Sequence, residues 1–357
     1  MNVYYCLTKR DLQDYASFRY NLYKKDPFYC DTDSFIFEML LFKQTSFAKS
    51  CVIKSLLIKE NKKIVAQTLL IHNPQDDFVQ VAFFECVPNN QEGANLVIEE
   101  AKKFAKEQKV KKIIIGIDGH LSYAVGLSKN MEQPNTFGAS YTKTYYRDYF
   151  KKYKTHKLYS FSNSLDFALR SFKDNEKFST DLTVRPINMK NFKKEMEVFG
   201  YLCDQTLGTT FLYSKTNSEH FYELMKDMTF FLRKENILFV YDKDTPVGFV
   251  FWNPDYNEVL PKGKKLNLLE IAFHYTFKKK KITRVTLNSI GVLEEYRRIA
   301  TTLLVKEIKK YLSQDYYKNV KTFESSFIWE DNKSSMLLTK HILKNVNREY
   351  EVFEINL

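Results

Sequence analysis

The stretch between residues 282 and 338 restricts the possible folds of this chain more than any other part of it. Its hydrophobic pattern predicts, in order, a strand (284–292), a turn (294–298), a helix (299–312), a second strand (320–329) and a last helix from Lys333. Arg297 and Arg298 stand in the turn, just before the helix. A strand that leads into a basic turn at a helix start is a typical anion site, because unpaired N–H groups and the positive helix end face the ligand.

The overall charge agrees with an anionic partner. The 357 residues carry a formal net charge of +12, with a sequence pI near 9.1. A phosphorylated cofactor, a nucleic acid and a membrane surface would each satisfy this excess, so charge alone does not choose among them. The chain is long for one core, which predicts two domains. Its content of 44% hydrophobic and 27% charged residues is typical of a globular protein and not of a disordered one.

The cysteines and histidines do not form a ligand pattern. Five cysteines are scattered without a C-x-x-C pair, and six histidines are dispersed without an H-x-x-x-H spacing. This argues against a disulfide framework and predicts no metal site. The first ten residues lack an apolar signal core, and no apolar run approaches the roughly 20 residues of a membrane helix. We therefore expect a cytoplasmic protein without membrane insertion.

The order of predicted elements recurs in the two halves of the chain. The first half has a hairpin (51–58 and 64–72), a third strand (79–87), a helix (92–108) and a buried strand (111–117). The apolar residues of this helix fall on one face, which consists of Ala94, Val97, Ile98, Ala101, Phe104 and Ala105. The second half has a strand (182–186), a helix (191–203) and a hairpin (237–241 and 247–252) before the stretch 282–338. The segment 168–182 is charged and weakly periodic, so we place the boundary there and expect domains at 1–170 and 180–357.

The turn at Arg297 resembles the coenzyme A loop of GNAT acyltransferases, which usually reads Arg/Gln-x-x-Gly-x-Gly/Ala. Read without gaps from Arg297, Ala300 stands at the first glycine position and Thr302 at the second. Aligning the apolar register of the helix places Ile299 and Ala300 on the family's Ile-Gly instead. The resemblance implies that the pyrophosphate of acyl-CoA is held by Arg297, Arg298, Ile299, Ala300 and Thr301. The alternative is a surface helix start with two solvated arginines.

The same resemblance implies roles for the strands on both sides of the turn. In GNAT enzymes the strand equivalent to 284–292 separates from the next one, and its unpaired backbone groups hold the pantetheine arm. This implies a donor site along Ile290, Gly291 and Val292, with a backbone N–H that stabilises the thioester oxyanion. A carboxylate, Glu324 or Glu330, would deprotonate the acceptor amine through water.

Asn332 follows the second core strand, where many GNAT enzymes use an asparagine to bind coenzyme A. Ser335 and Leu338 follow at the family spacing, but Thr339 stands where the family has a tyrosine acid. The resemblance therefore implies a cofactor-binding role for Asn332 and leaves the general acid unassigned. Asn332 or Asp331 would alternatively cap the last helix.

Three stretches are similar to a bacterial family of tandem-GNAT proteins whose reaction is not established. They are 18–28 with its Leu-Tyr-x-x-Asp-Pro, 83–86 with the following helix and Ile115-Gly116, and 247–257 continuing through 287–292 to 330–332. The resemblance implies an α/β fold of two tandem GNAT-like domains. Each would be a mixed, mostly antiparallel twisted sheet flanked by helices.

Such a fold implies an N-acyltransferase, in the first instance an N-acetyltransferase. It would move an acyl group from acetyl-CoA or another acyl-CoA to a small-molecule or peptide amine. Two alternatives stay open. Tandem GNAT-like domains also occur in aminoacyl-tRNA-dependent transferases, and a tRNA partner would suit the basic charge and the missing glycines. The second alternative is a binding protein that kept the fold and lost the chemistry.

A basic segment before the main stretch has three interpretations. It contains Lys262, Lys264, Lys265 and the lysine run 278–281. These side chains would bind the 3′-phosphate of coenzyme A, bind RNA, or belong to a solvated loop.

Overall fold

The computed structural model describes residues 1–6, 8–31, 34–130, 133–171, 180–264 and 266–357, without the side chains of Lys9 and Leu268. Most of the predicted boundary (172–179) and Lys265 lie outside the described residues. The chain forms two compact units. The first contains Met1–Tyr159, Pro261–Leu266 and Arg348–Leu357, and the second contains Ser160–Leu260 and Asn267–Asn347. The expected domains, 1–170 and 180–357, concern independent folding and stay a prediction.

The regular elements follow one another along the chain in an alternating α/β order. The strands are β1 (Asn2–Tyr5), β2 (Val52–Glu60), β3 (Lys63–His72), β4 (Phe78–Cys86), β5 (Lys112–Ile115), β6 (Leu127–Ser128), β7 (Lys154–Ser164), β8 (Leu182–Pro186), β9 (Ile237–Asp242), β10 (Thr245–Pro254), β11 (Arg284–Val292), β12 (Thr322–Ser325), β13 (Ile328–Trp329) and β14 (Asn345–Asn356). The α-helices are α1 (Lys9–Tyr23), α2 (Ser34–Leu41), α3 (Ser46–Ser50), α4 (Gln91–Glu107), α5 (Tyr146–Phe150), α6 (Leu165–Ser171), α7 (Phe192–Leu207), α8 (His220–Met225), α9 (Leu268–Lys278), α10 (Arg297–Leu312) and α11 (Lys333–Leu343).

The sheet of the first unit has the strand order β1-β2-β3-β4-β5-β14. Its neighbouring strands are antiparallel, except for the parallel pair β4 and β5. Asn61 and Lys62, both at positive φ, form the tight turn between β2 and β3, as a two-residue hairpin loop requires. Helix α4 crosses from β4 to β5 and buries the predicted apolar face, which consists of Ala94, Val97, Ile98, Ala101, Phe104 and Ala105.

The sheet of the second unit has the order β8-β9-β10-β11-β12-β7. It is again antiparallel, except for one parallel pair, β11 and β12. Helix α7 packs on it through a helical stripe that includes Phe192, Met196, Phe199 and Cys203. The ring of Phe199 lies 4.7 Å from that of Phe249 on β10. Helix α10 crosses from β11 to β12, as a parallel pair demands.

The expected fold class is confirmed, because each unit has a mixed, mostly antiparallel sheet flanked by helices. The predicted strand at 320–329 is divided into β12 and β13, and the short β6 has no counterpart in the prediction. Strand β14 was not predicted, and its residues from Arg348 onward pair with β5 of the first unit. Within the ranges given above, none of the helices combines the length and the apolar character that crossing a bilayer requires.

Candidate functional site

The core of the candidate site is the place where β11 and β12 stop pairing. The two strands run parallel as far as Leu287, which stands opposite Ser325. The next bond, from the Ser326 N–H to the Leu287 carbonyl, measures 2.8 Å. On its other side, β11 stays paired with β10 up to Val292. The second half of β11 therefore has an edge with which β12 does not pair.

The ladder between β10 and β11 decides which backbone groups face that edge. Leu293 donates its N–H to the Val247 carbonyl at 2.9 Å. Bonded positions of the ladder are two residues apart, so the backbone groups of Gly291, opposite Phe249, also face β10. Residues between bonded pairs of an antiparallel ladder point their N–H and C=O groups away from the partner strand. Ile290 and Val292 therefore direct their backbone groups toward the side of β12. We call these groups the open edge of β11.

A β-bulge at Asn288 marks the point of separation. Ser289 and Leu287 stand opposite consecutive residues of β10, so Asn288 is the extra residue of β11. A bulge bends and twists the strand that carries it. Asn288 Nδ2 also donates to Oδ1 of Asn253, a buried side chain of β10. The bulge and this hydrogen bond thus lie where pairing with β12 ends, and sequence reasoning missed both residues.

Gly291 is a glycine because helix α7 leaves no room for a side chain. A Cβ on this residue would stand 2.1 Å from Thr206 Oγ1 and 2.5 Å from Phe249 Cε1. Real Cβ atoms do not approach other atoms so closely. The need for glycine therefore comes from packing against α7, while Ile290 and Val292 on either side supply the open edge.

Helix α10 begins directly after β11. A 3-10 turn, Glu294–Tyr296, connects the two elements. The N-cap residue Tyr296 makes no side-chain hydrogen bond to the helix, and its hydroxyl donates instead to Asp242 at 2.9 Å. Arg297 and Arg298 open the helix with exposed side chains. The Arg297 N–H donates to the Glu294 carbonyl of the 3-10 turn. The dipole of the helix adds positive potential at this end, so the terminus suits an anion.

The residues after the two arginines do not crowd this terminus. Ala300 is fully buried, in a row with Leu304 and Ile308 that faces the core of the unit. Ile299 and Thr301 are half-buried. The methyl group of Ala300, at the first expected glycine position, therefore points into the protein, while Thr302, at the second, donates its hydroxyl to the Arg298 carbonyl at 2.9 Å.

The turn also carries two carboxylates that the sequence analysis gave no role. Glu294 and Glu295 are both exposed and lie within the 3-10 turn next to Arg297 and Arg298. The four side chains have no net charge together. Attraction of an anion to this turn therefore depends on the backbone and the helix end more than on formal charge.

The two candidate bases have different surroundings. Glu324 on β12 is buried, and its Oε2 lies 3.5 Å from Arg284 Nη1 on β11. The same nitrogen lies 3.5 Å from Asp255 Oδ2. This ion pair joins the paired halves of β11 and β12. Glu330, in contrast, is exposed in the turn after β13, where water can reach it.

Asn332 caps the last helix. Its Oδ1 accepts the N–H of Ser335 and the hydroxyl of Ser334, both at 3.1 Å. The capping role, one of the two alternatives for this residue, is therefore present in the structure. Because Oδ1 is occupied by these bonds, the Nδ2 group of the half-buried Asn332 side chain is the one that can donate to a ligand.

The first unit has a similar strand separation but a different helix start. Strands β4 and β5 pair in parallel up to Val81 opposite Ile115, and β4 bulges next to Phe83, whose φ is +47°. Here the helix is capped by the protein itself, since Asn90 Oδ1 accepts the Gly93 N–H at 2.8 Å. The start of α10 has no such cap from its N-cap residue, so it is the better anion site of the two.

A buried polar network fills the region where β4 and β5 separate. Glu85 accepts hydrogen bonds from Tyr23 at 3.0 Å and Tyr146 at 2.6 Å, and its Oε1 lies 3.2 Å from Arg19 Nε. Burial raises the pKa of both tyrosines well above the ordinary value, so they remain protonated donors. Arg19, Glu85 and Asp118 line a cavity of about 10 Å³, room for about one water molecule. Sequence reasoning missed this network because its members come from three distant segments.

The chain is similar to known proteins in its structure but not in its sequence. No family model matches the chain, and no curated protein matches it in sequence. It is similar to a tandem GNAT protein from the clavulanic acid biosynthesis pathway, with a TM-score of 0.58 and 9% identity over 99% of this chain and 98% of that one. The chain has a tandem GNAT fold.

Two further solved structures share this fold. A GCN5-related N-acetyltransferase from Anabaena variabilis matches with a TM-score of 0.53 and 10% identity, over 99% of this chain and 72% of that one. A glucosamine N-acetyltransferase region of a fungal multi-domain GH3 β-N-acetylglucosaminidase matches with a TM-score of 0.55 and 12% identity, over 99% of this chain and 38% of that one. At such identities the likeness concerns the fold, and the chemistry must be argued from the site.

Proposed function

We propose that this protein is an N-acyltransferase that uses acyl-CoA as donor and binds it in the second unit. One observation carries the proposal: the open edge of β11, at Ile290 and Val292, leads directly to a helix start that its N-cap residue Tyr296 does not cap. An unpaired strand edge can bind an extended amide chain, and a helix start can bind a pyrophosphate. Acyl-CoA contains both groups in this order.

The open edge would bind the pantetheine arm as a sheet binds an added strand. The N–H and C=O groups of Ile290 and Val292 are donors and acceptors at the spacing of a β-ladder, and the arm carries two amides that can pair with them. The first-turn amides of α10, with Arg297 and Arg298, would hold the pyrophosphate. Gly291 and Ala300 support this arrangement, since neither places a side chain toward the donor.

The chemistry would be direct transfer to an amine. The amine nitrogen attacks the thioester carbon, the carbon–sulfur bond breaks, and the sulfur leaves as a thiolate. A backbone N–H of the open edge would stabilise the oxyanion that forms in between. Exposed Glu330 is better placed than ion-paired Glu324 to take the amine proton through water. The acceptor would be a small-molecule or peptide amine, and the compartment the cytoplasm.

Calorimetric titration tests the donor assignment. We expect acetyl-CoA to bind. Pantetheine, which lacks the pyrophosphate, should bind with an affinity at least about tenfold lower, because it loses the contacts at α10. A panel of amines, with release of the free thiol as readout, then tests transfer. Binding of tRNA without any binding of acetyl-CoA would replace this proposal by an aminoacyl-tRNA-dependent transferase. Binding of acetyl-CoA without turnover on any amine would favour a binding protein.

A further inference from the structure

The connection between β10 and β11 is much longer than the fold requires. Antiparallel neighbours can be joined by a two-residue turn, whereas this connection runs from residue 255 to residue 283. Helix α9 lies in the connection, and a capping box between Asn267 and Glu270 fixes its start.

One face of α9 anchors it to the second unit. Tyr275 is buried, with its ring 5.1 Å from that of Tyr256 and 5.9 Å from that of Phe231. Its hydroxyl lies 2.8 Å from the hydroxyl of Tyr316. These contacts of Tyr275 fix the rotation of the helix about its axis. They therefore also determine which residues of α9 face outward.

The outward face of α9 is an apolar stripe. Leu269, Phe273 and Phe277 follow at intervals of four residues and are 83%, 59% and 73% exposed. Each residue of a helix is turned by about 100° from the last, so Phe273 and Phe277 both lie about 200° from Tyr275. The rings of Phe273 and Phe277 are 4.8 Å apart and form a continuous surface. Phe273 and Phe277 therefore point away from the core that anchors the helix, and Leu269, about 120° from Tyr275, lies at the side of the same face.

A cationic cluster continues the helix at the end of this stripe. Lys278, Lys279, Lys280 and Lys281 follow Phe277 without interruption. Within the described part of the chain, no carboxylate pairs with any of their four ammonium groups. Glu270 belongs to the capping box, about 12 Å away along the helix axis, and does not neutralise them. Of the other lysines in the predicted basic segment, Lys262 and Lys264 belong to the first unit.

We propose that the stripe and the lysine cluster dock the protein on an anionic lipid surface. Leu269, Phe273 and Phe277 would enter the acyl boundary, and residues 278–281 would meet the lipid headgroups. A helix that carries large apolar side chains on one face and lysines beside them lies in the plane of the membrane interface. Juxtamembrane lysines add attraction to anionic lipids. Such docking is peripheral and needs no helix that crosses the bilayer.

The shape of this surface favours a membrane over a folded partner. A protein interface needs a broad, complementary area, and the stripe is a single row of side chains on one helix. An RNA would be held by the lysines and would leave Leu269, Phe273 and Phe277 in water. A lipid interface can accommodate both parts of this surface. Its acyl region takes up the apolar side chains, and its anionic headgroups lie beside the lysines.

Vesicle sedimentation of the full chain tests the proposal. The protein should bind vesicles that contain phosphatidylglycerol and should bind phosphatidylcholine vesicles weakly. Replacing Leu269, Phe273 and Phe277 by Gln should lower the partition coefficient about tenfold or more, and so should replacing Lys278, Lys279, Lys280 and Lys281 by Gln. Matched controls make the same kinds of substitution at exposed residues outside the stripe and the lysine cluster. They replace the exposed Lys62, Lys63, Lys109 and Lys151 by Gln, or the exposed Leu337, Phe230 and Tyr201 by Gln, and should bind like wild type.

A fluorescent variant tests the depth of insertion independently of affinity. Phe273→Trp places a reporter on the stripe, while the natural Trp252 and Trp329 are buried. Its emission should shift to shorter wavelength on anionic vesicles, and brominated lipids should quench it. Absence of vesicle binding overturns the proposal, as does binding that survives the loss of the stripe. RNA binding that depends on residues 278–281 but not on the stripe, without vesicle binding, would assign the surface to nucleic acid instead.

Discussion

Gly291 and Thr206 are in contact so closely that residue 291 can carry no side chain. A Cβ there would overlap the Thr206 hydroxyl at 2.1 Å. Thr206 is held in place because its Oγ1 also donates to the Leu202 carbonyl at 2.6 Å within α7. The close approach of α7 thus fixes the position of β11 between Ile290 and Val292, the two residues whose backbone groups form the open edge.

Gly291→Ala should therefore disturb both stability and donor binding. We expect a loss of about 1–3 kcal/mol of unfolding free energy, as for other overpacked cores, together with weaker acyl-CoA binding. Thr206→Ala alone should be mild, and in combination it should restore part of the lost stability because it removes the nearest atom. Denaturant melts of the two single variants and the double variant measure this coupling. Simple additivity would show that the overlap with Thr206 does not decide the residue type.

Charge changes at the start of α10 should alter acyl-CoA affinity in opposite directions. Arg297→Glu with Arg298→Glu should abolish the rise in melting temperature that acyl-CoA produces, without unfolding the protein, because both side chains are exposed. Glu294→Gln with Glu295→Gln should tighten binding, because it removes two negative charges beside the pyrophosphate. Lys309→Glu with Lys310→Glu, about 18 Å along the same helix, is the matched control. Unchanged affinity in both turn variants would place the anion site elsewhere.

Substitutions of Asn332 separate helix capping from ligand binding. Asn332→Ala removes the acceptor for Ser335 N–H and should cost about 1 kcal/mol of stability. Asn332→Asp keeps a good cap but exchanges the Nδ2 donors for a negative charge. We expect the Asp variant to remain stable and to bind acyl-CoA more weakly. Calorimetric affinity and thermal melts of both variants decide the point, and an Asp variant with wild-type affinity would exclude Asn332 from the site.

Glu354 should make the first unit acid-sensitive. Burial by itself raises the pKa of this carboxyl, but hydrogen bonds from His156, Asn356 and Lys154 outweigh it and hold the pKa below its ordinary value of 4.5. A depressed carboxyl pKa contributes stability above the unfolded-state value, and that contribution is lost as the pH falls through the folded-state value. Glu354→Gln should cost about 1 kcal/mol at neutral pH, because it removes the charge of a buried carboxylate that accepts from half-buried His156 and exposed Lys154.

The pH profile of stability supplies the control for this prediction. The difference between wild type and Glu354→Gln should shrink once the pH falls below about 4.5, where the wild-type carboxyl also takes up a proton. Hydrogen exchange of β14 and β5 locates the effect, because Glu354 pairs with Ile114 in that ladder. A difference that stays constant between neutral and acidic pH would assign the loss to packing and not to charge.

The sequence by itself determined the elements whose signal is local. Strands β8 and β11 have the predicted bounds, 182–186 and 284–292, because a short apolar run between turn residues leaves few other structures. The apolar face of α4 was read directly from its period. The position of Asn332 at a helix start was predicted for the same reason, since capping depends on residues three positions apart.

Only the tertiary structure decided how these elements meet. The bulge at Asn288, the inward direction of Ala300 and the ion pair between Glu324 and Arg284 each depend on a partner strand or core that lies far away in sequence. Strand β14, which was not predicted, pairs with β5 of the first unit from Arg348 onward. Periodicity reports which face of a segment is apolar, but not which other segment will cover it. That choice follows from long-range packing, and it is what places the open edge of β11 beside the start of α10.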